Sequence, residues 1–312
     1  MAEPTEWIDR RLAGEGPPLI IDGGMGTELE KAEIPMNGAC WSGLAVLDYP
    51  DTVRKIHTDF IRAGAEVIIT NTFASGRHVL GPAGKADHVR AINTNAVSLA
   101  RQAIEDAASG PVAIAGSLCE WSYNQNDGEW SSPETAGRAL REQASLLAEA
   151  GADLITIEMA QDTVLSPVAI DAAAETGLPV WLGLSCRRRS TGARLTSFDH
   201  PDIDFESYAD SIVVHARQYP NVTLVNVMHT PVPDVADAMA IVRKSGWSGP
   251  VGVYPESGFF KMPNWQFVDV ITPEDLVAAA RVWVDTHGLR LLGGCCGLGP
   301  AHISALRADF GP

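Results

Sequence analysis

Two adjacent cysteines near the carboxyl end of the chain, Cys295 and Cys296, have the clearest capacity for chemistry. Thiolates are soft donors that suit zinc, which takes three or four protein ligands. Successive residues of a strand point to opposite faces, so both thiols reach one site only where the strand has ended and the chain turns. Gly293, Gly294 and Gly297 allow such a turn. The alternative is that both cysteines are small buried apolar residues.

Eight short apolar runs position these and other polar residues, and most of them are followed by a stretch with helical periodicity. The runs are 19–24, 66–73, 111–118, 153–159, 179–186, 222–229, 251–257 and 289–296. Nearly continuous hydrophobicity rich in Val, Ile and Leu is typical of parallel strands buried on both faces. Eight strands alternating with helices predict a single-domain (β/α)8 TIM barrel over residues 1–312. A doubly wound open sheet is the alternative, but such sheets usually have fewer strands.

Helix boundaries are also readable from the sequence. Ser132-Pro133-Glu134 and Thr272-Pro273-Glu274 each combine a capping hydroxyl with proline at the first helical position, which predicts a helix start. Gly288 follows the second of these helical stretches and predicts its end.

Polar residues close several of the apolar runs, and in a barrel the carboxyl ends of all strands face the active site. Glu158 ends an otherwise apolar run, and a buried carboxylate needs a partner. The predicted site therefore draws on residues from several runs: Asp22, Gly23, Thr72, Glu158, Ser185, Cys186, Asn226, His229, Glu256, Cys295 and Cys296.

Composition and charge exclude several classes of function. The chain has 23 Lys and Arg against 39 Asp and Glu, a net charge of −16, which disfavours nucleic acids and anionic membranes as partners. We find no apolar stretch of the roughly 20 residues that span a bilayer and no secretory signal. Five cysteines in 312 residues argue against a disulfide framework and predict a reducing, cytoplasmic location. Neither a dinucleotide fingerprint nor a phosphate loop is present.

Four motifs, in this order, resemble the homocysteine S-methyltransferase family. They are Asp22–Leu29 (DGGMGTEL), Gly64–Phe73 (GAEVIITNTF), Val253–Gly258 (VYPESG) and Gly293–Gly297 (GGCCG), within a match from residue 19 to residue 303. The family includes the betaine and S-methylmethionine enzymes and the homocysteine module of cobalamin-dependent methionine synthase. The resemblance implies transfer of a methyl group from a small onium donor, such as S-methylmethionine or betaine, to the thiol of homocysteine, giving methionine.

The resemblance also implies roles for individual residues. In the family, three cysteine thiolates hold zinc and the substrate sulfur takes the fourth position, so that the substrate is delivered as a thiolate. Cys295 and Cys296 match two of these ligands. Asp22, Gly23 and Glu158 match positions that bind the amino-acid part of homocysteine, with Glu158 paired to its ammonium group. Further substrate-binding residues are predicted at Thr72, Ser185 and Asn226.

The chain departs from the family at the remaining zinc ligand. That cysteine lies in an Asn-Cys pair at the end of the sixth strand, where this sequence has Val227, which cannot ligate a metal. His229, two residues later and therefore expected on the same strand face, is one candidate third ligand. Cys186 at the end of the fifth strand is an equal candidate, and Cys119 after the third strand is another. In the remaining alternative, no residue replaces the cysteine and zinc binds weakly or not at all.

Two other functions are alternatives, the first because Val227 removes a ligand and the second because the two cysteines are adjacent. One is a barrel methyltransferase or demethylase with an altered metal site and a different acceptor. The other is a non-catalytic binding or redox protein in which Cys295 and Cys296 act as a dithiol. The leading prediction names a small-molecule thiol acceptor and a cationic methyl donor as partners, and a homo-oligomeric state is compatible with the sequence.

Two further segments could contact such a donor. Residues 119–130 are rich in Trp, Tyr and acidic side chains, which is typical of a clamp for a cationic donor or of a lid packed by its own aromatics. Arg187, Arg188 and Arg189 follow the fifth strand and form either a solvated loop or a carboxylate-recognition site.

Overall fold

The computed structural model describes residues 5–121 and 132–311, and its centre is a closed parallel barrel. Its strands are β1 (Leu19–Ile20), β2 (Val67–Ile69), β3 (Ala113–Cys119), β4 (Leu154–Ala160), β5 (Val180–Leu184), β6 (Val222–Pro231), β7 (Val251–Glu256) and β8 (Leu291–Leu292). Neighbours in sequence pair in parallel from β2 to β8, and β8 pairs with β1. A parallel bridge between Ile21 and Val67 joins β1 to β2 and closes the ring. The predicted (β/α)8 barrel is confirmed.

Helices surround the barrel and connect its strands. They are α1 (Glu6–Leu12), α2 (Met25–Lys31), α3 (Ala45–Asp48), α4 (Pro50–Arg62), α5 (Arg77–Leu80), α6 (Val89–Ala107), α7 (Pro133–Glu149), α8 (Leu165–Ala174), α9 (Phe205–Ala216), α10 (Val235–Lys244), α11 (Pro273–His287) and α12 (Pro300–Phe310). Short 3-10 turns cover Ala86–His88 and Val232–Asp234. One antiparallel hairpin, Cys186–Arg188 with Leu195–Ser197, follows β5, and another, Phe259–Lys261 with Asn264–Gln266, follows β7.

The predicted helix boundaries are present in the structure. The Ser132 hydroxyl accepts a hydrogen bond from the backbone N–H of Thr135 at the start of α7. The Thr272 hydroxyl does the same for the N–H of Asp275 at the start of α11. Gly288 ends α11 in the left-handed conformation, with φ of +62°.

The apolar strands supply two separate cores, because alternate residues point to opposite faces of the sheet. One core fills the barrel and includes Leu19, Ile21, Val67, Trp181, Leu224, Tyr254 and Leu291. The other lies between the barrel and the helices and includes Ile20, Ile68, Leu182, Val225, Val227, Val253 and Leu292. Continuous hydrophobicity in the sequence is the consequence of burying both faces.

The alternation breaks at the carboxyl ends of β4 and β6. The register of β4 against β5 shifts between Ile157 and Ala160, and Met159 has φ of +54°. Likewise the register of β6 against β7 shifts between Met228 and Pro231, and His229 has φ of +42°. An extra residue of this kind bends the strand and redirects the following side chains.

Within the described residues, none of the helices has the length and apolar character required to cross a membrane.

Trp181 is the largest side chain inside the barrel, so replacing it tests that core. It is fully buried, and its indole N–H has no hydrogen-bond partner. We expect W181A to lower the free energy of unfolding by about 3–5 kcal/mol through lost burial and a cavity. W181F should cost clearly less, because it retains an aromatic ring and sacrifices no hydrogen bond. Urea unfolding followed by circular dichroism measures both; equal losses for the two variants would contradict this account.

Candidate functional site

A cavity of about 640 Å³ opens at the carboxyl ends of the strands. Every strand or the segment after it contributes to the wall, as a barrel active site requires. In chain order these contributions include Gly23, Asn71, Trp121, Glu158, Arg187, His229, Glu256 and Cys295.

The two adjacent cysteines lie in this wall just after β8 has ended. The backbone N–H of Cys295 donates to the carbonyl of Pro255 at 2.8 Å, and the N–H of Ser257 donates to the carbonyl of Cys296 at 3.0 Å. The chain then turns through Gly297, whose φ is +84° and whose Cα has no room for a side chain, since a Cβ would lie 1.9 Å from the Ser257 carbonyl oxygen. A hydrogen bond with the neighbouring Cys295 thiol, together with burial, raises the pKa of the Cys296 thiol.

His229 joins the two thiols. Its Nδ1 lies 3.4 Å from Cys295 Sγ, and the ligand atoms of His229, Cys295 and Cys296 all lie within 4.8 Å of one another. In a tetrahedral zinc site with Zn–S of about 2.3 Å and Zn–N of about 2.0 Å, a sulfur and a nitrogen ligand are about 3.5 Å apart. The separation of Cys295 Sγ and His229 Nδ1 matches this value, and two sulfurs with one imidazole are a donor chemistry that suits zinc.

The route by which His229 reaches the site differs from the sequence-based expectation. Val227 is fully buried in the core between barrel and helices, so it does not share a face with the cavity residues. Met228 packs inside the barrel, and the left-handed backbone at His229 turns the His229 side chain inward as well. The assumption that Val227 and His229 share a face is therefore wrong, because the bulge interrupts the two-residue period.

The other two candidate ligands lie elsewhere. Cys186 packs in the outer core, and its backbone N–H donates to the Thr230 hydroxyl at 3.1 Å. Cys119 Sγ accepts a hydrogen bond from the Trp121 N–H at 3.3 Å. Burial raises the pKa of the Cys186 and Cys119 thiols, and neither belongs to a group that could hold a metal within the described part of the chain.

Glu256 contacts the far side of the His229 ring. Its Oε2 lies 3.2 Å from His229 Nε2. Burial lowers the pKa of His229 to about 3 and raises the pKa of Glu256 to about 8. The contact is therefore one between groups that burial keeps close to neutral rather than a charged pair, and a neutral imidazole is the form that ligates metals.

Two further carboxylates form a second polar centre. Glu158 lines the cavity and accepts a hydrogen bond from the Ser117 hydroxyl, and burial raises its pKa to about 7. Asp22 Oδ2 accepts a hydrogen bond from the Ile69 N–H at 2.8 Å, while its Oδ1 has no partner. Burial, with the Glu158 charge as a smaller cause, raises the pKa of Asp22. A cation placed between them would relieve both desolvation and repulsion.

Gly23 lies beside this pair, where the backbone wall of the cavity is closely packed. A Cβ on Gly23 would lie 2.2 Å from the Leu298 carbonyl oxygen, so only glycine fits there. The local DGG sequence thus positions Asp22 against β2 and brings the backbone close to any ligand.

Three predicted substrate-binding residues lie behind the cavity wall. The Thr72 hydroxyl donates to the Ser117 carbonyl at 2.7 Å, and the Ser185 hydroxyl donates to the Met228 carbonyl at 2.7 Å. Asn226 is fully buried, and its amide has no hydrogen-bond partner. Thr72 and Ser185 form hydrogen bonds within the structure behind the wall, and contact of all three residues with substrate stays a prediction.

Aromatic side chains form most of the outer wall. Trp41 meets Phe73 and Phe260 edge to face at 6.3 and 6.1 Å between ring centroids, and Phe73 lies 5.8 Å from Trp121. Sequence reasoning missed Trp41, which lies between α2 and α3, and Phe260, which lies in the hairpin after β7, because neither belongs to the apolar runs used to predict the site. Of the aromatic segment 119–130, Trp121 lines the cavity, and residues 122–130 lie outside the described residues.

Arg187 lines the cavity, whereas Arg188 and Arg189 bond elsewhere. The Arg187 guanidinium lies 4.3 Å from the Phe198 ring centroid and 3.5 Å from Asp199 Oδ1. Arg188 pairs with Asp234, and Arg189 donates to the Phe198 carbonyl. The described cavity wall contains three carboxyl groups, those of Glu158, Asp199 and Glu256, and one guanidinium, that of Arg187.

The chain is similar to known proteins over most of its length. Residues 19–310 match the protein family described as Homocysteine S-methyltransferase. Homocysteine S-methyltransferase 2 of Zea mays is 26% identical over 324 residues, which cover 96% of this chain and 91% of the maize protein. S-methylmethionine–homocysteine S-methyltransferase BHMT2 of Rattus norvegicus is 28% identical over 312 residues, which cover 98% of this chain and 81% of the rat protein.

A solved structure shows the same fold. The metallated form of the homocysteine methyltransferase MmuM from Escherichia coli matches with a TM-score of 0.72 at 22% identity, over 98% of this chain and 99% of that chain.

The exposure of the cysteines predicts their reactivity. Cys295 is partly exposed to the cavity, whereas Cys40, Cys119 and Cys186 are buried. In chelator-treated native protein we expect fast reaction of Ellman's reagent at Cys295, and reaction of all five cysteines only after denaturation. C295A should remove the fast phase and C186A should leave it unchanged. Rapid labelling of Cys119 or Cys186 in peptide maps of native protein would contradict the described site.

Proposed function

This chain belongs to the homocysteine S-methyltransferase family and is a methyltransferase, and from that premise we propose that it methylates the thiol of homocysteine to give methionine. We place the reaction at a zinc site made by His229, Cys295 and Cys296, with a small onium compound as methyl donor. The observation that carries the proposal is the convergence of these three ligand atoms within 4.8 Å on the wall of the barrel cavity.

Zinc suits this donor set for chemical reasons. Cysteine sulfur and neutral imidazole are zinc's usual protein ligands, and three protein ligands leave one position for substrate. Cys295 is partly exposed to the cavity, so that position would face the substrate. When bound, zinc would lower the pKa of the homocysteine thiol, so that the thiol is delivered as a thiolate near neutral pH.

Glu158 and Asp22 are suited to the amino-acid part of homocysteine. The ammonium group would pair with the Glu158 carboxylate at the cavity wall, with Asp22 behind it adding negative charge. The backbone at Gly23 would run alongside the bound molecule. This pairing fixes the substrate at one end while its sulfur reaches Cys295 and Cys296.

The aromatic and acidic wall is suited to a cationic donor. Rings of Trp41, Phe73 and Trp121 present π faces and edges at the cavity, and an onium group is attracted to such rings. Arg187 offers a guanidinium to a donor carboxylate. S-methylmethionine carries both groups, and the name of the rat relative includes this donor. The acceptor sulfur would form a bond to the methyl carbon as the donor's bond to that carbon breaks, and the donor would leave uncharged.

A different acceptor would be favoured if Val227 left the metal site without a third ligand. Since His229 supplies a third donor atom, the replacement by Val227 no longer favours an altered reaction. The redox interpretation is also disfavoured, because His229 lies against Cys295 in a geometry suited to a metal.

The proposed function is tested by assaying methionine formation from homocysteine with S-methylmethionine, glycine betaine and dimethylsulfoniopropionate. We expect turnover with at least one donor and about one zinc per chain. C296S should lower turnover more than about 100-fold, because it removes a metal ligand. C186S is the matched control and should retain both zinc and activity. No turnover with any donor from zinc-replete protein would overturn the proposal.

The raised pKa of Glu158 predicts how binding of an amino-acid ligand depends on pH. Burial raises its pKa to about 7, so the carboxyl is neutral below that pH and cannot pair with an ammonium group. We expect methionine, which has no ionisable thiol, to bind more tightly as pH rises from 6 to 8. E158Q should weaken binding and remove this dependence. Calorimetry at several pH values measures the effect, and an unchanged pH profile in E158Q would contradict the assigned role.

A further inference from the structure

We propose that Glu256 is a positioning residue for the metal site, acting through His229, whose ring it orients with one nitrogen toward the two thiols. The inference rests on the proposed zinc site and names a residue that acts through a ligand and is not itself one.

The backbone ties Glu256 to both thiols. Pro255, just before it, accepts the hydrogen bond from the Cys295 N–H at 2.8 Å, and Ser257, just after it, donates to the Cys296 carbonyl at 3.0 Å. Both residues flanking Glu256 are thus fixed to the cysteine pair. The backbone of Glu256 cannot move away from the cysteine pair without breaking these bonds.

The two nitrogens of the His229 ring have different neighbours. Nδ1 lies 3.4 Å from Cys295 Sγ, and Nε2 lies 3.2 Å from Glu256 Oε2. A carboxylate that accepts a hydrogen bond from Nε2 would keep the proton on that nitrogen and leave the Nδ1 lone pair for a metal. The Phe198 ring, 4.6 Å away between centroids, packs on the imidazole and restricts its rotation.

Glu256 Oε2 has no other use in the described structure. The side chain is 5% exposed, and Oε2 accepts no hydrogen bond from the described residues, although it lies 3.2 Å from His229 Nε2. A buried carboxylate oxygen without a structural partner is costly, so its presence points to a role at this ring.

Ring orientation supplies the reason for this arrangement. An imidazole has two nitrogens, and only a ring that is held in the correct orientation and tautomer presents Nδ1 to a metal. Metal-ligating histidines usually have a carboxylate, carbonyl or water at the other ring nitrogen, which fixes both. Glu256 has this position relative to His229.

The test is a double-mutant cycle with zinc affinity as the main readout, measured by competition with a chromogenic chelator. We expect E256Q to weaken zinc binding 10–100-fold and to lower kcat/KM, with circular dichroism unchanged. H229C replaces the imidazole by a thiolate that needs no carboxylate behind it. In the H229C background, E256Q should change zinc affinity less than about 2-fold.

The outcomes separate the two proposals. Equal zinc affinity in E256Q and the unaltered chain would overturn the positioning role while the zinc site and methyl transfer stand. An equal loss in both backgrounds would also overturn it, because the effect would not pass through the imidazole. Failure of the unaltered chain to bind zinc would overturn the proposed function and this inference together. The Co²⁺-substituted protein gives a second readout, in which E256Q should shift the visible absorption only when His229 is present.

Discussion

The bulge at the end of β6 is the constraint on which the candidate metal site depends. A regular strand would send Val227 and His229 to one face and Met228 to the other, and it would leave the cysteine pair with no third donor. Instead Val227 stays in the outer core, Met228 fills the barrel, and the left-handed backbone at His229 brings the imidazole to the thiols. One irregular residue thus converts a buried apolar strand into part of a ligand set.

Burial is the second physical theme, because it sets the charge state of nearly every group at the site. Glu158, Glu256 and Asp22 all have raised pKa values through burial, and His229 has a lowered one. Buried carboxylates of this kind cost stability in the free protein. A bound cationic ligand or metal would offset this loss of stability, so the groups that destabilise the free protein are those placed to bind the ligand.

Much of the fold could be predicted because it depends on local signals. The apolar runs correspond to the eight strands. Thr272 caps the start of α11 and Gly288 ends it, as the sequence predicted. The cysteine pair was predicted to turn out of its strand, and it does so after Leu292. The position of His229 could not be derived from two-residue alternation, because a bulge is fixed by neighbouring strands. Trp41 and Phe260 were missed because only the folded chain brings their loops to the cavity.

Backbone conformation at the cavity has a consequence for laboratory evolution of this protein. Trp41, Met159 and His229 line the cavity and have φ of +43°, +54° and +42°, a region in which residues with a side chain are strained by about 1 kcal/mol or more each. Glycine or asparagine would adopt the same backbone at less cost. At Met159, which is buried in the barrel core, the packing lost in such a change, about 2–5 kcal/mol, exceeds the strain relieved. A library selected only for thermal stability would therefore retain Met159, whereas at His229 the relief of strain acts against keeping a metal donor.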